Sequence, residues 1–235
     1  SSFAAKVDLT AGTGAYGVAI GDVDGDGKAE IVTANQGTNT VSIFRSTSTP
    51  GTISGSSFAA KVDYTTGANC YGVAIGDLDG DGKRDVVSAN WTAGTISVLR
   101  NTSTSGTIDA GSFAAAQAYT AGTNPIYVAV GDLDGDGKPD LAVANQNSDN
   151  LSLFRNTSTS GTIDASSFSA KTDFAAGTDP FSIAVADLDG DGKADVLTPN
   201  YSSGSGTTVS LFHNLTLTTP APTITSFTPT SGAVA

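Results

Sequence analysis

The sequence has very few of the residues that build disulfides, membrane spans or catalytic centres. Its 235 residues include one cysteine, Cys70, and one histidine, His213. A single cysteine excludes an intrachain disulfide framework, and we interpret Cys70 as a small buried hydrophobic side chain. No apolar run approaches the ~20 residues that cross a bilayer, so we expect no membrane insertion. The opening SSFAAKVDLT has neither a basic nor an apolar leader region, so we expect that any signal peptide has already been removed.

Positive charge is also scarce, because 11 Lys and Arg residues face 23 Asp and Glu residues and give a net charge of -12. Such a chain repels phosphates, so neither nucleic acid nor an anionic membrane is expected as a partner. Hydrophobic residues make up 38% of the chain, which is enough to bury a core. Sixteen of the acidic residues lie in four short turns. The acidity therefore requires a local explanation.

These four turns belong to a tandem repeat. They read GDVDGDGKAE, GDLDGDGKRD, GDLDGDGKPD and ADLDGDGKAD. Their first aspartates are spaced 55 residues apart, at Asp22, Asp77, Asp132 and Asp187. A second set of residues keeps the same spacing, namely Phe3, Phe58, Phe113 and Phe168. One structural unit is therefore repeated four times.

Within each repeat, apolar residues alternate with the period of a β-strand rather than a helix. In the second repeat the successive segments are YGVAIGD, the acidic turn, DVVSAN, TISVLR and, after a Ser/Thr/Gly stretch, a segment related to SFAAKVD. Glycine, serine, asparagine and threonine join these segments. The pattern predicts an all-β protein, namely a β-propeller of four 55-residue, four-stranded blades.

The order of segments raises the question of closure. The chain begins with a fourth-strand sequence at residues 2–10, and its last complete strand, TVSLFHN, is a third strand. Residues 2–10 are therefore expected to complete the blade that begins near residue 181, which would close the ring. The alternative is that they join a neighbouring subunit by strand exchange and build a filament.

The acidic turns follow the pattern D-x-D-x-D-G-x-x-[DE], which supplies carboxylates at positions 1, 3, 5 and 9 and a backbone carbonyl at position 7. Glycine at position 6 permits the sharp bend around an ion. Oxygen donors without His or Cys favour Ca²⁺. An EF-hand is excluded, because position 12 is not Glu and the flanking segments are strands. We predict four calcium sites, one per repeat: Asp22, Asp24, Asp26, Lys28 and Glu30; Asp77, Asp79, Asp81, Lys83 and Asp85; Asp132, Asp134, Asp136, Lys138 and Asp140; Asp187, Asp189, Asp191, Lys193 and Asp195.

The stretch YGVAIGDLDGDGKRDVVSANWTAGTISVLRN resembles the FG-GAP, or VCBS, repeat of integrin α-subunit propellers and many bacterial surface proteins. The resemblance covers residues 1–215, which we assign to the propeller domain. It implies that the calcium loop joins the first two strands of each blade and is mainly structural. Integrin-like propellers usually have seven blades, whereas this chain has four units. Residues 216–235 are Pro- and Thr-rich, and PTITSFTPTSG is similar to the first strand of an immunoglobulin-like IPT/TIG domain; a plain extended tail is the alternative.

We expect no enzymatic activity from this sequence. No nucleophile–base set emerges, and His213 takes the strand-end position that Arg45, Arg100 and Arg155 hold in the other repeats. The favoured function is a secreted or cell-surface module that serves adhesion or assembly and binds a glycan or protein ligand.

A lectin is an alternative function. In that case the residues that follow the second strand would contact sugar rings: Gln36, Trp91, Gln146 and Tyr201. The competing interpretation is that these aromatic side chains pack between blades.

Overall fold

A computed structural model of the chain describes residues 2–216, and this part of the chain is almost purely β. It contains fifteen strands, and its helical elements are two single 3-10 turns at Gln146–Ser148 and Ser202–Gly204. Across the described range, no helix is long and apolar enough to cross a membrane. The all-β prediction is confirmed.

The strands form four antiparallel sheets that follow one another along the chain. The first sheet contains β1 (Ala15–Gly21), β2 (Glu30–Asn35), β3 (Thr40–Phe44) and β4 (Val62–Thr65). The second contains β5 (Cys70–Gly76), β6 (Asp85–Asn90), β7 (Thr95–Leu99) and β8 (Gln117–Thr120). The third contains β9 (Pro125–Gly131), β10 (Asp140–Asn145), β11 (Asn150–Phe154) and β12 (Thr172–Ala175). The fourth contains β13 (Ala184–Ala186), β14 (Asp195–Asn200) and β15 (Thr208–Phe212).

Each sheet is a meander in which a strand pairs with the strands before and after it in sequence. The fourth strands are shorter than the SFAAKVD segments suggested. They begin four residues after the phenylalanine, while Phe58, Phe113 and Phe168 make isolated bridges to Ser46, Asn101 and Asn156. The Ser/Thr/Gly stretch between the third and fourth strands is thereby folded back into a loop.

The structure does not show the expected closure by residues 2–10. This segment is exposed and forms no strand, so the fourth sheet has three strands among the described residues. The outer faces of the end sheets are exposed too, since Val18 is 61% and Val209 60% accessible. The first and fourth sheets therefore do not bury each other's apolar faces.

A buried asparagine ends every second strand and fixes the hairpin that follows: Asn35, Asn90, Asn145 and Asn200. In the first sheet, Asn35 Nδ2 donates to Thr40 Oγ1 at 3.1 Å and to Ser42 Oγ at 2.8 Å. Its Oδ1 accepts the Gly12 N–H at 3.1 Å. A Cβ on Gly12 would lie 2.5 Å from Asn35 Cγ, so this position requires glycine.

Apolar side chains fill the spaces between successive sheets in three separate clusters. Between the first and second sheets, Val41 and Ile43 belong to the same cluster as Val73 and Leu99. Cys70 is fully buried in this cluster, as its interpretation as a small hydrophobic residue requires. The first strands of neighbouring sheets contact each other, β1 with β5, β5 with β9 and β9 with β13. All four sheets are thus packed side by side through one repeated interface.

Candidate metal centre

An acidic loop connects the first and second strands of every sheet, as the family resemblance implied. We name these segments acidic loops 1 to 4; they comprise residues 22–30, 77–85, 132–140 and 187–195. Because the four sheets follow one repeat, all four loops lie at equivalent ends of their first strands.

Backbone N–H groups fold acidic loop 1 around its own carboxylates. Asp22 accepts from Gly25 N at 2.7 Å through Oδ1 and from Gly27 N at 3.0 Å through Oδ2. Asp26 N donates to Asp24 Oδ1 at 3.1 Å. Both glycines adopt positive φ, +69° and +85°, which is the left-handed region that a side chain disfavours. The loop thus bends sharply at its fourth and sixth positions.

In each loop this bending brings three of the predicted carboxylates close together. One oxygen from each member of a trio lies within 4.8 Å of the others, a spacing that a single cation can bridge. The trios are Asp22, Asp24 and Asp26; Asp77, Asp79 and Asp85; Asp132, Asp134 and Asp136; and Asp187, Asp189 and Asp195.

The carboxylate at position 9 has a further role that the motif alone did not indicate. Asp85 Oδ2 accepts the Leu78 N–H at 2.9 Å, and Oδ1 accepts the Asn101 N–H at 2.8 Å. Glu30, Asp140 and Asp195 make the same pair of bonds in their own sheets. Position 9 therefore ties its acidic loop to the end of the third strand. Burial raises the pKa of Asp85 to about 7, so a nearby cation would be needed to hold this carboxyl firmly ionised.

The strand-end basic residues lie over the carboxylates at position 3. Arg100 Nε is 2.8 Å from Asp79 Oδ2, Arg155 Nε contacts Asp134 Oδ2, and His213 Nε2 is 2.9 Å from Asp189 Oδ2. His213 is a half-exposed strand-end residue, as expected from its position in the repeat.

Asp24 at position 3 of acidic loop 1 is different. Asp24 is only 2% exposed, and its Oδ2 atom has no hydrogen-bond partner among the described residues. Burial raises the pKa of Asp24, with the neighbouring Asp26 and Asp22 adding to the effect. An unpaired carboxylate oxygen buried among other carboxylates is costly unless a cation neutralises it. The donor set of loop 1, all oxygen and largely anionic, therefore fits calcium, whereas in loop 4 His213 forms an additional candidate trio with Asp189 and Asp191.

A segment of the next sheet holds the outer side of the acidic loops, and sequence reasoning missed this contact. Asn101 Nδ2 donates to the Val23 carbonyl at 2.6 Å, and Ser105 Oγ donates to the Gly25 carbonyl at 2.8 Å. Gly106 N donates to the Asp24 carbonyl at 3.0 Å. One sequence feature could have indicated this contact: NTSTSGT occurs identically at residues 101–107 and 156–162. The strand pattern alone predicts only a linker there.

The residues proposed for sugar binding all directly follow the second strand, but they differ in environment. Trp91 Nε1 donates to Gln146 Oε1 at 3.1 Å, and the Trp91 backbone carbonyl accepts from Asn124 Nδ2 at 3.0 Å. Trp91 therefore packs between the second and third sheets. Tyr201 is 48% exposed, with its ring 5.3 Å from that of Phe181. Gln36 is half-buried in the first sheet's equivalent turn.

Repeated antiparallel sheets, each with an acidic loop between its first two strands, define a propeller-like repeat protein. The family model described as FG-GAP-like repeat matches residues 22–88, 77–143 and 132–198, which together span well over half of the sequence. The chain therefore belongs to the FG-GAP-like repeat family. No match was found among curated proteins.

Two solved structures are similar in fold. A chain in the crystal structure of BBS1N in complex with ARL6DN, soaked with mercury, shares 15% identity with a TM-score of 0.51. The match covers 83% of this chain and 51% of that chain, so the present sequence spans about half of its length. The exotype rhamnogalacturonan lyase YesX shares 18% identity over 85% of this chain and 43% of its own, with a TM-score of 0.45. The first likeness concerns the fold alone, and the second is too remote to support any conclusion.

Proposed function

We propose that the chain is a calcium-stabilised β-propeller module of a secreted or cell-surface protein, with calcium in a structural role. Each acidic loop would hold one ion through its clustered carboxylates, with the position-7 carbonyl as an additional ligand. Four ions would add eight positive charges and change the net charge from -12 to -4. Calcium would supply counter-charge beyond that of the single Arg or His that pairs with each of loops 2 to 4.

The single observation that carries this proposal is the buried, unpaired Oδ2 of Asp24 beside Asp22 and Asp26. The other position-3 aspartates have an Arg or His ion-pair partner, whereas Asp24 Oδ2 makes no hydrogen bond within residues 2–216. The charge of Arg45 only partly offsets the burial of Asp24, since the pKa of this carboxyl remains raised. Sites of this type in extracellular modules bind calcium with dissociation constants on the order of 0.1–1 mM. That range matches the calcium supply outside cells, so an affinity of this order is what the proposed extracellular location requires.

Calorimetric titration and thermal unfolding test the calcium proposal directly. We expect calcium uptake by the purified chain and a higher melting temperature in calcium than in EDTA. Each site would add about 2.7 kcal/mol of stability at a calcium concentration 100 times its dissociation constant. Magnesium at equal concentration is the matched control, because it favours fewer carboxylates and more water. Absence of uptake, together with an unchanged melting temperature, would refute the structural role of calcium.

A lectin function is the second candidate, and the exposed ring of Tyr201 is the observation that favours it. An open pocket of about 450 Å³ is lined by Phe181, Tyr201 and Thr207, among others, and so combines aromatic faces with hydroxyl groups. A glycan array on the calcium-loaded chain tests this function. If sugar binds here, Tyr201→Ala should abolish binding at an unchanged melting temperature. Trp91→Ala should instead lower the melting temperature, because Trp91 packs between sheets.

Assembly by strand exchange is a third candidate, favoured by the three-stranded fourth sheet. Residues 7–10 read VDLT and correspond to the VDYT of β4, where Ser42 Oγ donates to Asp63 Oδ1 at 2.6 Å. On the open edge of β15, Asp8 of another copy would meet Ser210 in the same register.

Size-exclusion chromatography tests this assembly in calcium and in EDTA. We expect high-mass species in calcium, and monomers after deletion of residues 2–10. A peptide of residues 1–12 should then bind the deletion variant, and the same peptide with Asp8→Lys should bind more weakly. A monomeric full chain that binds no such peptide would exclude strand exchange.

A further inference from the structure

The four acidic loops are joined to one another by a repeated asparagine contact. Asn101 begins the NTSTSGT segment of the second sheet and is fully buried. Its Nδ2 donates to the Val23 carbonyl in acidic loop 1 at 2.6 Å. The same nitrogen donates to the Arg84 carbonyl in acidic loop 2 at 2.8 Å. One amide group thus spans two successive loops.

The backbone of the same residue holds a predicted calcium ligand. Asn101 N donates to Asp85 Oδ1 at 2.8 Å, and Asn101 Oδ1 accepts from Ser103 N at 2.9 Å. The Val23, Arg84 and Ser103 backbone groups together fix the orientation of the Asn101 side-chain amide, while the Asn101 backbone N–H contacts the ninth-position carboxylate of loop 2. The Val23 carbonyl and the Asp85 carboxylate are therefore connected through one buried residue, Asn101, whose side chain contacts the first and whose backbone N–H contacts the second.

The contact recurs at the next two sheets. Asn156 Nδ2 donates to the Leu78 carbonyl of loop 2 and to the Pro139 carbonyl of loop 3, both at 2.8 Å, and Asn156 N donates to Asp140 Oδ1 at 2.7 Å. The fourth sheet repeats the pattern through Asn214, whose Nδ2 reaches the Leu133 carbonyl of loop 3 at 2.7 Å. Asn214 N donates to Asp195 Oδ1 of loop 4 at 2.8 Å. Loops 1 to 4 are therefore linked in sequence order.

We propose that Asn101, Asn156 and Asn214 are positioning residues that couple neighbouring calcium loops, so that filling one loop raises the calcium affinity of the next. This inference rests on the proposed calcium-binding function. A cation that draws the carboxylates of loop 2 together fixes the loop backbone and its Leu78 carbonyl. The Asn156 side chain is then held in place by this carbonyl, and the Asn156 backbone N–H is positioned to donate to Asp140 Oδ1 in loop 3. Coupling of this kind is reciprocal, so loop 3 must favour loop 2 by the same factor.

The first repeat supplies a natural variant of the coupling residue. Ser46 stands where the other sheets have asparagine, and Ser46 N still donates to Glu30 Oε1 at 3.2 Å. Ser46 Oγ bonds Ser48 Oγ at 2.9 Å within its own segment. Serine is therefore compatible with the local backbone and keeps the ninth-position bond, but it lacks the bridging amide. Asn156→Ser is the corresponding substitution at a coupled position.

The experiment follows each loop separately by NMR. The amide signals of the position-6 glycines report on the individual loops during a calcium titration: Gly27, Gly82, Gly137 and Gly192. Asp77→Asn with Asp81→Asn disables loop 2, and Asp187→Asn with Asp191→Asn disables loop 4 as the matched control. We expect loss of loop 2 to weaken calcium binding at loops 1 and 3 by about fivefold or more. Loss of loop 4 should weaken loop 3 and leave loop 1 unchanged.

Asn156→Ser then tests the bridging residue itself. Ser158 also connects the two loops, because its Oγ donates to the Leu78 carbonyl at 2.7 Å and its carbonyl accepts from Lys138 Nζ at 2.8 Å. In Asn156→Ser, disabling loop 2 should therefore weaken loop 3 by a clearly smaller factor than in the unmodified chain. Its effect on loop 1 through Asn101 should persist as an internal control. If all four loops bind calcium and disabling one changes no neighbour by more than about twofold, the coupling is refuted and the calcium function stands. If the unmodified chain shows no calcium-dependent shift at any of the four glycines, the calcium function fails, and the coupling fails with it. If Asn156→Ser does not fold, the comparison between the variants with loop 2 disabled and loop 4 disabled still tests whether the loops are coupled.

Discussion

Acidic loops 2 and 4 differ little in sequence, DLDGDGKRD against DLDGDGKAD, yet they lie in very different surroundings. Leu78 in loop 2 is 1% exposed, whereas Leu188 at the same position of loop 4 is 50% exposed. The side chain of Asp79 is inaccessible to solvent, and that of Asp189 is 47% accessible. The NTSTSGT segment of the third sheet covers loop 2. Within residues 2–216, no side chain donates to the Leu188 or Gly190 carbonyls of loop 4.

The comparison shows that the following sheet sets the chemistry of an acidic loop as much as the loop's own residues do. Burial raises the pKa of Asp85, while hydrogen bonds from Asn214 and Leu188 lower the pKa of Asp195 at the same position of loop 4. A covered loop holds its carboxylates away from water, so its demand for a counter-ion is stronger. In loop 4, water reaches Leu188 and the position-3 carboxylate of Asp189, although the Asp195 residue itself is only 2% exposed.

The largest expected effect is a difference between Asp85→Ala and Asp195→Ala in EDTA, where no bound ion contributes to the stability of either loop. The first substitution leaves the N–H groups of Leu78 and Asn101 buried without an acceptor, and each such group costs about 1–3 kcal/mol. We expect a loss of about 3 kcal/mol or more, which is about 6–12 °C in melting temperature for a protein of this size. Asp195→Ala should cost about 1 kcal/mol, because water can reach the half-exposed Leu188.

Differential scanning calorimetry in EDTA measures both variants. Melting temperatures are the quantity to compare, since several packed sheets need not unfold in one step. Equal decreases in melting temperature in the two variants would show that coverage by the next sheet does not change how much the ninth-position carboxylate stabilises its loop.

The same contrast applies to the apolar faces of the sheets, at two matched valines. Val41 on β3 is fully buried against the second sheet, and Val209 at the equivalent position of β15 is 60% exposed. Val41→Ala should therefore destabilise the chain by about 2 kcal/mol, and Val209→Ala by less than about 0.5 kcal/mol. Thermal unfolding of the two variants checks this. A cost at Val209 as large as at Val41 would mean that another surface covers β15 in solution.

Much of this architecture could be predicted from the repeat. The 55-residue spacing between Asp22 and Asp77 predicted the length of the repeat unit, and the period-2 alternation in TVSIF predicted its strands. Both features can be read directly from the sequence without knowing which repeats contact each other. The bends at the acidic loops followed from their glycines. Local patterns cannot reveal contacts between repeats, and this is why the Asn101 bridge to Val23, 78 residues away, was missed. The expected closing strand at residues 2–10 was wrong for the same reason, because its match to a fourth strand says nothing about whether the end sheets meet.

The remaining prediction concerns proton binding in the calcium-free chain and is read from carboxyl signals rather than from the melting temperature. The pKa of Asp85 is about 7 in the folded state against an ordinary value of 3.8, so between pH 4 and 7 the folded state holds a proton that the unfolded state has lost. The contribution of Asp85 to stability therefore falls as pH rises through this window. Asp195 has the opposite sign: its lowered pKa adds stability above pH 3.8 that is lost in stronger acid.

Carboxyl ¹³C shifts, assigned with Asp85→Asn and Asp195→Asn, should place the Asp85 midpoint near 7 and that of Asp195 below 3.8. Calcium should move the Asp85 midpoint downwards, because a cation favours the ionised form. An Asp85 midpoint close to that of Asp195 without calcium would show that coverage by the third sheet does not exclude water from loop 2.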